Sequence, residues 1–343
     1  MTHQLLNTLY VTTIGAYVRL ENDTVRVENE GQKLVQVPLQ HIGSIVTFGE
    51  TLISPILMHR CAEQGISLTL LDRNGVFKAR VEGSVSGNVL LRQSQYKHDA
   101  IATIELARNI VAAKIRNSRQ VMLRGARESR VDSDNESLRL SAETLDKLLI
   151  SLRGVENLDQ IRGLEGEAAR NYFGVFSLLV KPSSREDFTL NGRTRRPPLD
   201  RMNALLSFLY TLLTHDCRSA IESVGLDSQW GFLHVARPGR PSLALDLIEE
   251  FRAYMADRLA LTLVNRGQIK ASNFTIRPGG AVWMDDDARR AVIVAYQERK
   301  KEEILHPLLE KTTPLGLLPF VQARLLARTI RGDMEGYVPF ITR

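Results

Sequence analysis

Cysteine is scarce in this sequence of 343 residues, which contains only Cys61 and Cys217. Two thiols are too few for a disulfide framework or for a multi-cysteine zinc or iron–sulfur site. Long apolar runs are missing as well: the longest, residues 204–213, is about half the ~18 residues of a membrane span and contains Ser207. The first residues lack the basic and apolar segments of a signal peptide. We therefore expect a cytoplasmic protein without a membrane span.

Acidic residues are outnumbered, and the imbalance is confined to one part of the chain. Lys and Arg total 45 against 39 Asp and Glu, which gives a net charge of +6. Residues 1–100 contain nine residues of each sign, so the whole surplus lies in residues 101–343. A basic surplus restricted to one domain favours a polyanionic partner, although a basic protein without such a partner would show the same balance.

The first hundred residues have the pattern of a β-rich domain. Short alternating runs rich in β-branched and aromatic residues are separated by turn formers, and Asn22-Asp23 between two such runs predicts a hairpin. One helix is predicted at residues 54–64, with Ser54 as its N-cap, Pro55 in its first turn and Gly65 as its end. Strands are predicted at residues 9–13, 17–21, 24–28, 33–37, 67–71 and 77–82.

From about Asp99 the apolar spacing changes to that of helices. We predict an α+β protein, with a β-rich N-terminal domain at residues 1–98 and an all-α domain at residues 99–343. Residues 127–137 and 182–198 are expected to be connections, the second of them long and rich in arginine. Helical patterns cover residues 101–115, 141–153, 158–179, 199–224, 243–266, 286–309 and 317–330.

Three features of the helical half could carry chemistry. Glu165 lies among small residues on an otherwise apolar helix, and His234 follows the apolar pair 232–233. Asp246 and Glu249 are three residues apart, so they share one helix face, and Asp246 has apolar neighbours. Each feature also has an ordinary explanation: an exposed glutamate, a structural histidine or a solvated acidic stripe.

Together, these carboxylates and one imidazole could hold a divalent ion. Carboxylate oxygens suit Mg²⁺ or Mn²⁺, and an imidazole shifts the preference towards Mn²⁺. Three protein ligands would leave positions for a phosphate oxygen and a nucleophile, as metal-assisted phosphoryl transfer requires. Nearby arginines could contact DNA phosphates without reading sequence, and they are Arg193, Arg195, Arg196, Arg237 and Arg240.

Four motifs of the helical half stand out, and they are RGLEGEAARNYF at 162–173, RRPPLDRMNALLS at 195–207, GFLH at 231–234 and SLALDLIEEFR at 242–252. In order, spacing and flanking residues, these motifs resemble those of the CRISPR-associated integrases of the Cas1 family. The segments 9–13 and 88–92 are also similar, so the likeness covers nearly the whole chain.

The resemblance implies a homodimer that works with a small companion subunit, Cas2, to capture short DNA fragments and insert them into a CRISPR array. It also implies a related metal-dependent endonuclease activity, and the likeness is to type I systems. On the matching motifs, Glu165, His234 and Glu249 are expected to be the metal ligands and Asp246 an additional acid of the same site. Asn203 is expected near the active site, orienting a ligand or phosphate.

Two other functions would use much of the same sequence. A stand-alone, structure-selective nuclease of repair or recombination would need the same metal and arginines, but would only shorten DNA. A non-catalytic nucleic-acid scaffold would need the arginines alone, and metal ions would then change neither its activity nor its stability.

Overall fold

The computed structural model describes residues 7–73, 75–81, 83, 88–195 and 197–342. The chain divides into two compact units, Met1–Gly87 and Asn88–Arg343. The first unit is β-rich and the second is mainly helical, which confirms the predicted α+β class. The division falls before the helix Val89–Tyr96, whereas the sequence-based boundary at residues 98 and 99 falls after it.

The first unit contains two four-stranded sheets in its described residues. One sheet has the strand order β4-β3-β2-β6, and the other has β1-β5-β7-β8. Strands β1, β5 and β7 run parallel, and β8 is antiparallel to β7. The elements are β1 (Asn7–Val11), β2 (Tyr17–Glu21), β3 (Thr24–Asn29), β4 (Gln32–Pro38), β5 (Ile42–Phe48), β6 (Leu52–Ile53), α1 (Pro55–Gln64), β7 (Ser67–Leu71) and β8 (Phe77–Val81).

Local sequence signals of this unit act as predicted. Asn22 and Asp23 both have positive φ and join β2 to β3 in an antiparallel hairpin. Ser54 caps α1, because its Oγ accepts a hydrogen bond from the backbone N–H of Leu57 at 3.2 Å. Gly65 ends the helix in the left-handed region, at a φ of 69°.

Strand β5 was not predicted, although it lies in the middle of its sheet between β1 and β7. Its last four residues are all buried, so this part lacks the polar alternation by which a half-exposed strand is recognised. Ile45 of β5 is fully buried and packs in one core with Val18, Leu57 and Leu68.

The second unit is a bundle of helices in which α3 packs against α4 and α5, and α7 packs against α8 and α11. The helices are α2 (Val89–Tyr96), α3 (Ala100–Glu128), α4 (Asp132–Leu152), α5 (Leu158–Gly174), α6 (Pro182–Arg185), α7 (Arg201–Ser223), α8 (Ser242–Ile248), α9 (Arg258–Asn265), α10 (Asp286–Lys301) and α11 (Leu318–Arg331).

Three predictions about this unit were wrong in detail. The connection expected at residues 127–137 is mostly helical, since α3 continues to Glu128 and α4 begins at Asp132. The single helix expected at residues 243–266 is interrupted after Ile248, and a π-helical turn at Arg252–Asp257 precedes α9. The unit is not all-α, because it contains the two-stranded pairs β9 (Phe274–Ile276) with β10 (Val282–Met284) and β11 (Glu303–Leu305) with β12 (Thr312–Pro314).

Within the described residues, no helix combines the length and the apolar character that crossing a membrane requires.

Candidate catalytic and cation-binding site

The predicted site residues come from three separate elements of the helical unit. Glu165 lies in the middle of α5, and His234 lies in the loop that precedes α8. Asp246 is inside α8, while Glu249 is the first residue after that helix. The helix ends at Ile248, so Glu249 and Glu250 both lie in the turn that follows it.

Asp246 organises the loop that carries His234. Its carboxylate is fully buried and accepts hydrogen bonds from three successive backbone N–H groups of the loop. Oδ2 accepts from Phe232 at 2.6 Å and from Leu233 at 3.0 Å, and Oδ1 accepts from the backbone of His234 at 2.9 Å. Oδ1 also lies 2.7 Å from Nδ1 of the His234 ring. A carboxylate that is engaged in this way is an anchor, and it has little capacity left for a metal ion.

The contact with Asp246 fixes which nitrogen of His234 can serve as a ligand. Asp246 accepts the proton of Nδ1, so the lone pair of the neutral imidazole is on Nε2. Carboxylates hold metal-binding histidines in this manner in many proteins. We therefore assign His234 as a possible donor through Nε2 and Asp246 as the residue that positions it.

Gly231 allows the loop to pass this close to α8. A Cβ atom on residue 231 would lie 2.7 Å from Oδ2 of Asp246 and 2.8 Å from the carbonyl carbon of Ser242. A second contact fixes the loop from outside, since Nε of Arg162 donates to the carbonyl oxygen of Leu233 at 2.8 Å. Both residues lie in the motifs, but their roles could not be inferred from sequence.

Glu165 and Glu249 are brought together by a lysine that the sequence analysis did not single out. The ammonium group of Lys114, on α3, pairs with Oε1 of Glu165 and lies 2.8 Å from Oε2 of Glu249. Glu249 is also paired with Arg252, at 3.0 Å between Oε1 and Nη2. Burial opposes the ionisation of Glu249, but the charges of Arg252 and Lys114, with a smaller contribution from His234, outweigh it and lower the pKa of Glu249 to about 2.

The three predicted metal ligands do not form a closed set of donors. In the part of the chain that the structure describes, no three His, Cys, Asp or Glu side chains are close enough to hold a metal ion together. Instead, Glu165 and Glu249 share Lys114, and His234 faces Asp246.

The chemistry of these donors nevertheless fits a divalent cation. Oε2 of Glu249 is buried and receives no well-directed hydrogen bond, and the cation that it faces is the ammonium of Lys114 at 2.8 Å. Two carboxylates and an imidazole are donors that Mn²⁺ accepts, and Mg²⁺ accepts the carboxylates. Glu165, Glu249 and Nε2 of His234 could hold such an ion if the ammonium of Lys114 moved aside and the three side chains moved closer to one another.

A buried carboxylate behind the site connects the elements around it. Asp257, in the π-helical turn, accepts hydrogen bonds from the hydroxyl groups of Tyr210, at 2.6 Å, and Tyr172, at 3.0 Å. Burial raises the pKa of Asp257 to about 6, although both hydroxyl groups oppose this rise. The guanidinium of Arg252 lies over the Tyr210 ring, 4.8 Å from its centre. This network links α5, α7 and the turn that holds Arg252.

Glu250 faces away from the site and holds the C-terminal segment. It accepts hydrogen bonds from the hydroxyl group of Tyr337, from Nε2 of Gln322 at 3.0 Å and from the backbone N–H of Phe340 at 2.7 Å. Asn117 donates to the carbonyl oxygens of Glu250 at 2.8 Å and Phe340 at 3.0 Å. The chain end is therefore attached behind the residues that carry Glu249.

The predicted DNA-binding residues differ in their exposure. Arg195 and Arg237 are exposed and Arg240 is half-buried, whereas Arg196 lies outside the described residues. DNA contact by these residues stays a prediction.

Asn203 and Arg193 are engaged inside the chain. Asn203 is fully buried, donates to the carbonyl oxygen of Gly192 at 2.8 Å and accepts from Arg193 and from the backbone of Thr194. The guanidinium of Arg193 lies 5.2 Å from the centre of the Tyr210 ring. Asn203 fixes the loop before α7 in this way, and its expected role near the active site, orienting a ligand or phosphate, stays a prediction.

Comparison with known proteins bears directly on the resemblance. The family model "CRISPR associated protein Cas1" matches residues 9–298. A CRISPR-associated endonuclease Cas1 of Moorella thermoacetica is 56% identical over 344 residues, covering 99% of this chain and 100% of the relative. A CRISPR-associated endonuclease Cas1 of Rhodospirillum rubrum is 52% identical over 341 residues, covering 98% of each chain.

Solved structures share the fold at lower identity. A chain of a Cas6-RT-Cas1–Cas2 complex superposes with a TM-score of 0.83 at 23% identity, covering 99% of this chain and 36% of that one. A casposase bound to integration product gives a TM-score of 0.82 at 21% identity, covering 97% of this chain and 93% of that one. From the family model and the close relatives together, this chain belongs to the Cas1 family.

Proposed function

We propose that this chain is a CRISPR adaptation integrase, which joins short DNA fragments into a CRISPR array and has a related DNA endonuclease activity. One observation supports this most strongly: in a member of the Cas1 family, two acids from different elements converge on one cation, beside a histidine oriented by a buried carboxylate. The relatives are named endonucleases, and a structural neighbour is bound to an integration product. These names agree with both activities.

In this proposal, Glu165, Glu249 and Nε2 of His234 hold a Mg²⁺ or Mn²⁺ ion. Such an ion, when bound, polarises a phosphodiester and stabilises negative charge on its oxygens. The protein's own contribution is to fix the donors. Asp246 holds the imidazole in one tautomer, and Arg252 keeps Glu249 ionised while it is buried.

The joining reaction replaces one phosphodiester bond with another. The 3′-hydroxyl oxygen of the incoming fragment forms a bond to phosphorus as the bridging P–O bond of the repeat breaks. The attacking hydroxyl gives up its proton, and the released 3′-oxygen takes one up. Because the number of phosphodiester bonds is unchanged, the reaction needs no nucleotide hydrolysis. Water in place of the hydroxyl would give the endonuclease reaction.

The partners in this proposal are DNA, a second copy of this chain and Cas2. The basic surplus of residues 101–343 suits a polyanion, and Arg195, Arg237 and Arg240 are the described arginines that we expect to contact its phosphates. A solved complex with the same fold contains both Cas1 and Cas2. We expect the assembly to act in the cytoplasm.

The test is an integration assay with the whole chain, purified Cas2, Mn²⁺, a short labelled duplex and a plasmid that carries the repeat. Wild type should produce joined strands at the repeat, and Glu165→Gln and His234→Ala should produce none. Glu167→Gln is the matched control, because Glu167 is an exposed acid on the same helix. Full joining by Glu165→Gln or by His234→Ala would contradict the assignment.

The product separates this proposal from a stand-alone nuclease. A nuclease would shorten the labelled strands without joining them, whether or not Cas2 is present. A DNA-binding scaffold would change neither strand, and Mn²⁺ would not alter its melting temperature. The integrase predicts joined products that require Cas2, the repeat and the divalent ion together.

A further inference from the structure

We propose that Lys114 is a built-in competitor for the cation site, which a divalent ion must displace from between Glu165 and Glu249 in order to bind. This inference rests on the metal site of the proposed function and adds a residue that none of the motifs contains. It concerns the affinity of the site for its ion and the stability of the protein without one.

The contacts of Lys114 are those of an internal cation. Its ammonium group is paired with Glu165 and lies 2.8 Å from Oε2 of Glu249, with only 13% of its side chain exposed. The Glu249 side chain is 2% exposed, so little water is available to solvate its charge. A buried carboxylate without a cationic partner is costly, and two that face one another are costlier still. Lys114 therefore stabilises the pair.

The ammonium group and a divalent ion would use the same carboxylate oxygens. With Lys114 and Arg252 present, the two positive charges balance those of Glu165 and Glu249. A divalent ion added to this set would leave two excess positive charges in a largely buried site, unless one cation withdrew. Arg252 is held by the Tyr210 ring and by Glu249. Lys114 has a flexible stem of four carbons, so it is the cation that can withdraw.

Metal binding to this site is accordingly an exchange of one cation for another. The measured affinity of wild type for a divalent ion should be lower than the site could provide, because the ion must first break the contacts of Lys114. In return, the protein without the ion keeps its two carboxylates neutralised. Removing the ammonium group should change both properties, in opposite directions.

The test compares Lys114→Met with wild type and with Lys147→Met, a control at an exposed lysine on α4. Free Mn²⁺ is measured by electron paramagnetic resonance, and melting temperature is measured in EDTA and in Mn²⁺. Compared with wild type, Lys114→Met should bind Mn²⁺ at least about tenfold more tightly and melt at a lower temperature in EDTA. Its melting temperature should also rise more than that of wild type when Mn²⁺ is added. Lys147→Met should match wild type in all three.

A double variant covers the case in which Lys114→Met does not fold. In Lys114→Met/Glu165→Gln, only Glu249 stays charged, and Arg252 still neutralises it. Its melting temperature in EDTA should therefore return most of the way to that of wild type. No recovery in the double variant would overturn the inference.

The two proposals fail in different ways. If neither wild type nor Lys114→Met binds Mn²⁺, the metal site of the proposed function is wrong, and so is the inference that rests on it. If wild type binds Mn²⁺ but Lys114→Met binds it equally or more weakly, the metal site stands and the competitor role of Lys114 is overturned.

Discussion

The substitution Asp246→Asn tests the anchor of the site with the smallest possible change of shape. Asparagine has one oxygen, whereas Asp246 uses two, so neither orientation of the amide can reproduce the native contacts. With its NH₂ group at the Oδ2 position, the N–H groups of Phe232 and Leu233 lose their acceptor. With the NH₂ group at the Oδ1 position, the backbone N–H of His234 loses its acceptor and the imidazole must adopt the other tautomer.

The expected magnitude follows from these contacts. A hydrogen bond to a charged group contributes about 1.5–3 kcal/mol, and a buried donor left unsatisfied costs about 1–3 kcal/mol. The first orientation loses two such bonds and the second loses at least one, so we expect the free energy of unfolding to fall by about 2–4 kcal/mol. Loss of the carboxylate behind the imidazole should also weaken Mn²⁺ binding about 10–100-fold.

Urea unfolding in EDTA gives the free energy of unfolding, and titration with Mn²⁺ gives the affinity for the ion. Asp146→Asn is the control, because the Asp146 side chain is 55% exposed and should change stability by less than about 0.5 kcal/mol. If Asp246→Asn were as stable as Asp146→Asn and bound Mn²⁺ as tightly, the buried carboxylate would not be the anchor of the loop, and our reasoning about His234 would be refuted.

Three further changes test other parts of the molecule. Gly231→Ala places a Cβ 2.7 Å from Oδ2 of Asp246, so urea unfolding should show a loss of about 1–3 kcal/mol, and unchanged stability would contradict the close approach. The pKa of Asp257 is raised to about 6, so the folded protein keeps the proton of this carboxyl at pH values where the unfolded chain has lost it. The stability that this proton contributes is therefore present below pH ~4 and is lost as the pH rises through about 6. Wild type should therefore lose about 1.3 kcal/mol relative to Asp257→Asn between pH 5 and pH 7 in urea unfolding, and parallel curves would contradict this. Arg237→Ala should make the plot of log affinity for duplex DNA against log salt less steep, by about 0.9 in the magnitude of its slope, as measured by fluorescence anisotropy. An unchanged slope would mean that Arg237 contacts no phosphate.

Much of the local structure could be predicted from the sequence because short-range chemistry determines it. Ser54 and Gly65 delimit α1 through a cap and a left-handed turn, and both act within four residues. Likewise Asn22 and Asp23 tolerate the positive φ that their hairpin requires. These signals need no knowledge of the rest of the chain.

The interruption of the helix after Ile248 could not be predicted, because apolar residues continue with helical spacing up to residue 266. A π-helical turn follows at Arg252–Asp257, and such turns are frequent at functional sites. Periodicity therefore identified the helical region correctly and missed the turn at residues 249–251 and the π-helical segment after it.

Lys114 was missed for a different reason. It precedes Glu165 by 51 residues, and its apolar surroundings on α3 have the ordinary pattern of a core-facing helix. Only the packing of α3 against α5 brings the ammonium group to the carboxylates. A single sequence contains no short-range signal of such a contact, so the site predicted from the motifs did not include Lys114.

The three acids between residues 246 and 250 have different roles, and the groups that surround each acid determine its role more than its residue type does. Asp246 faces N–H groups and a ring nitrogen, so it serves as an anchor. Glu250 faces neutral donors and the C-terminal segment, and burial raises its pKa to about 7. Glu249 alone faces two cations, and its pKa is lowered to about 2. A carboxylate that stays ionised while buried among cations is the one best prepared to exchange its ammonium partner for a metal ion.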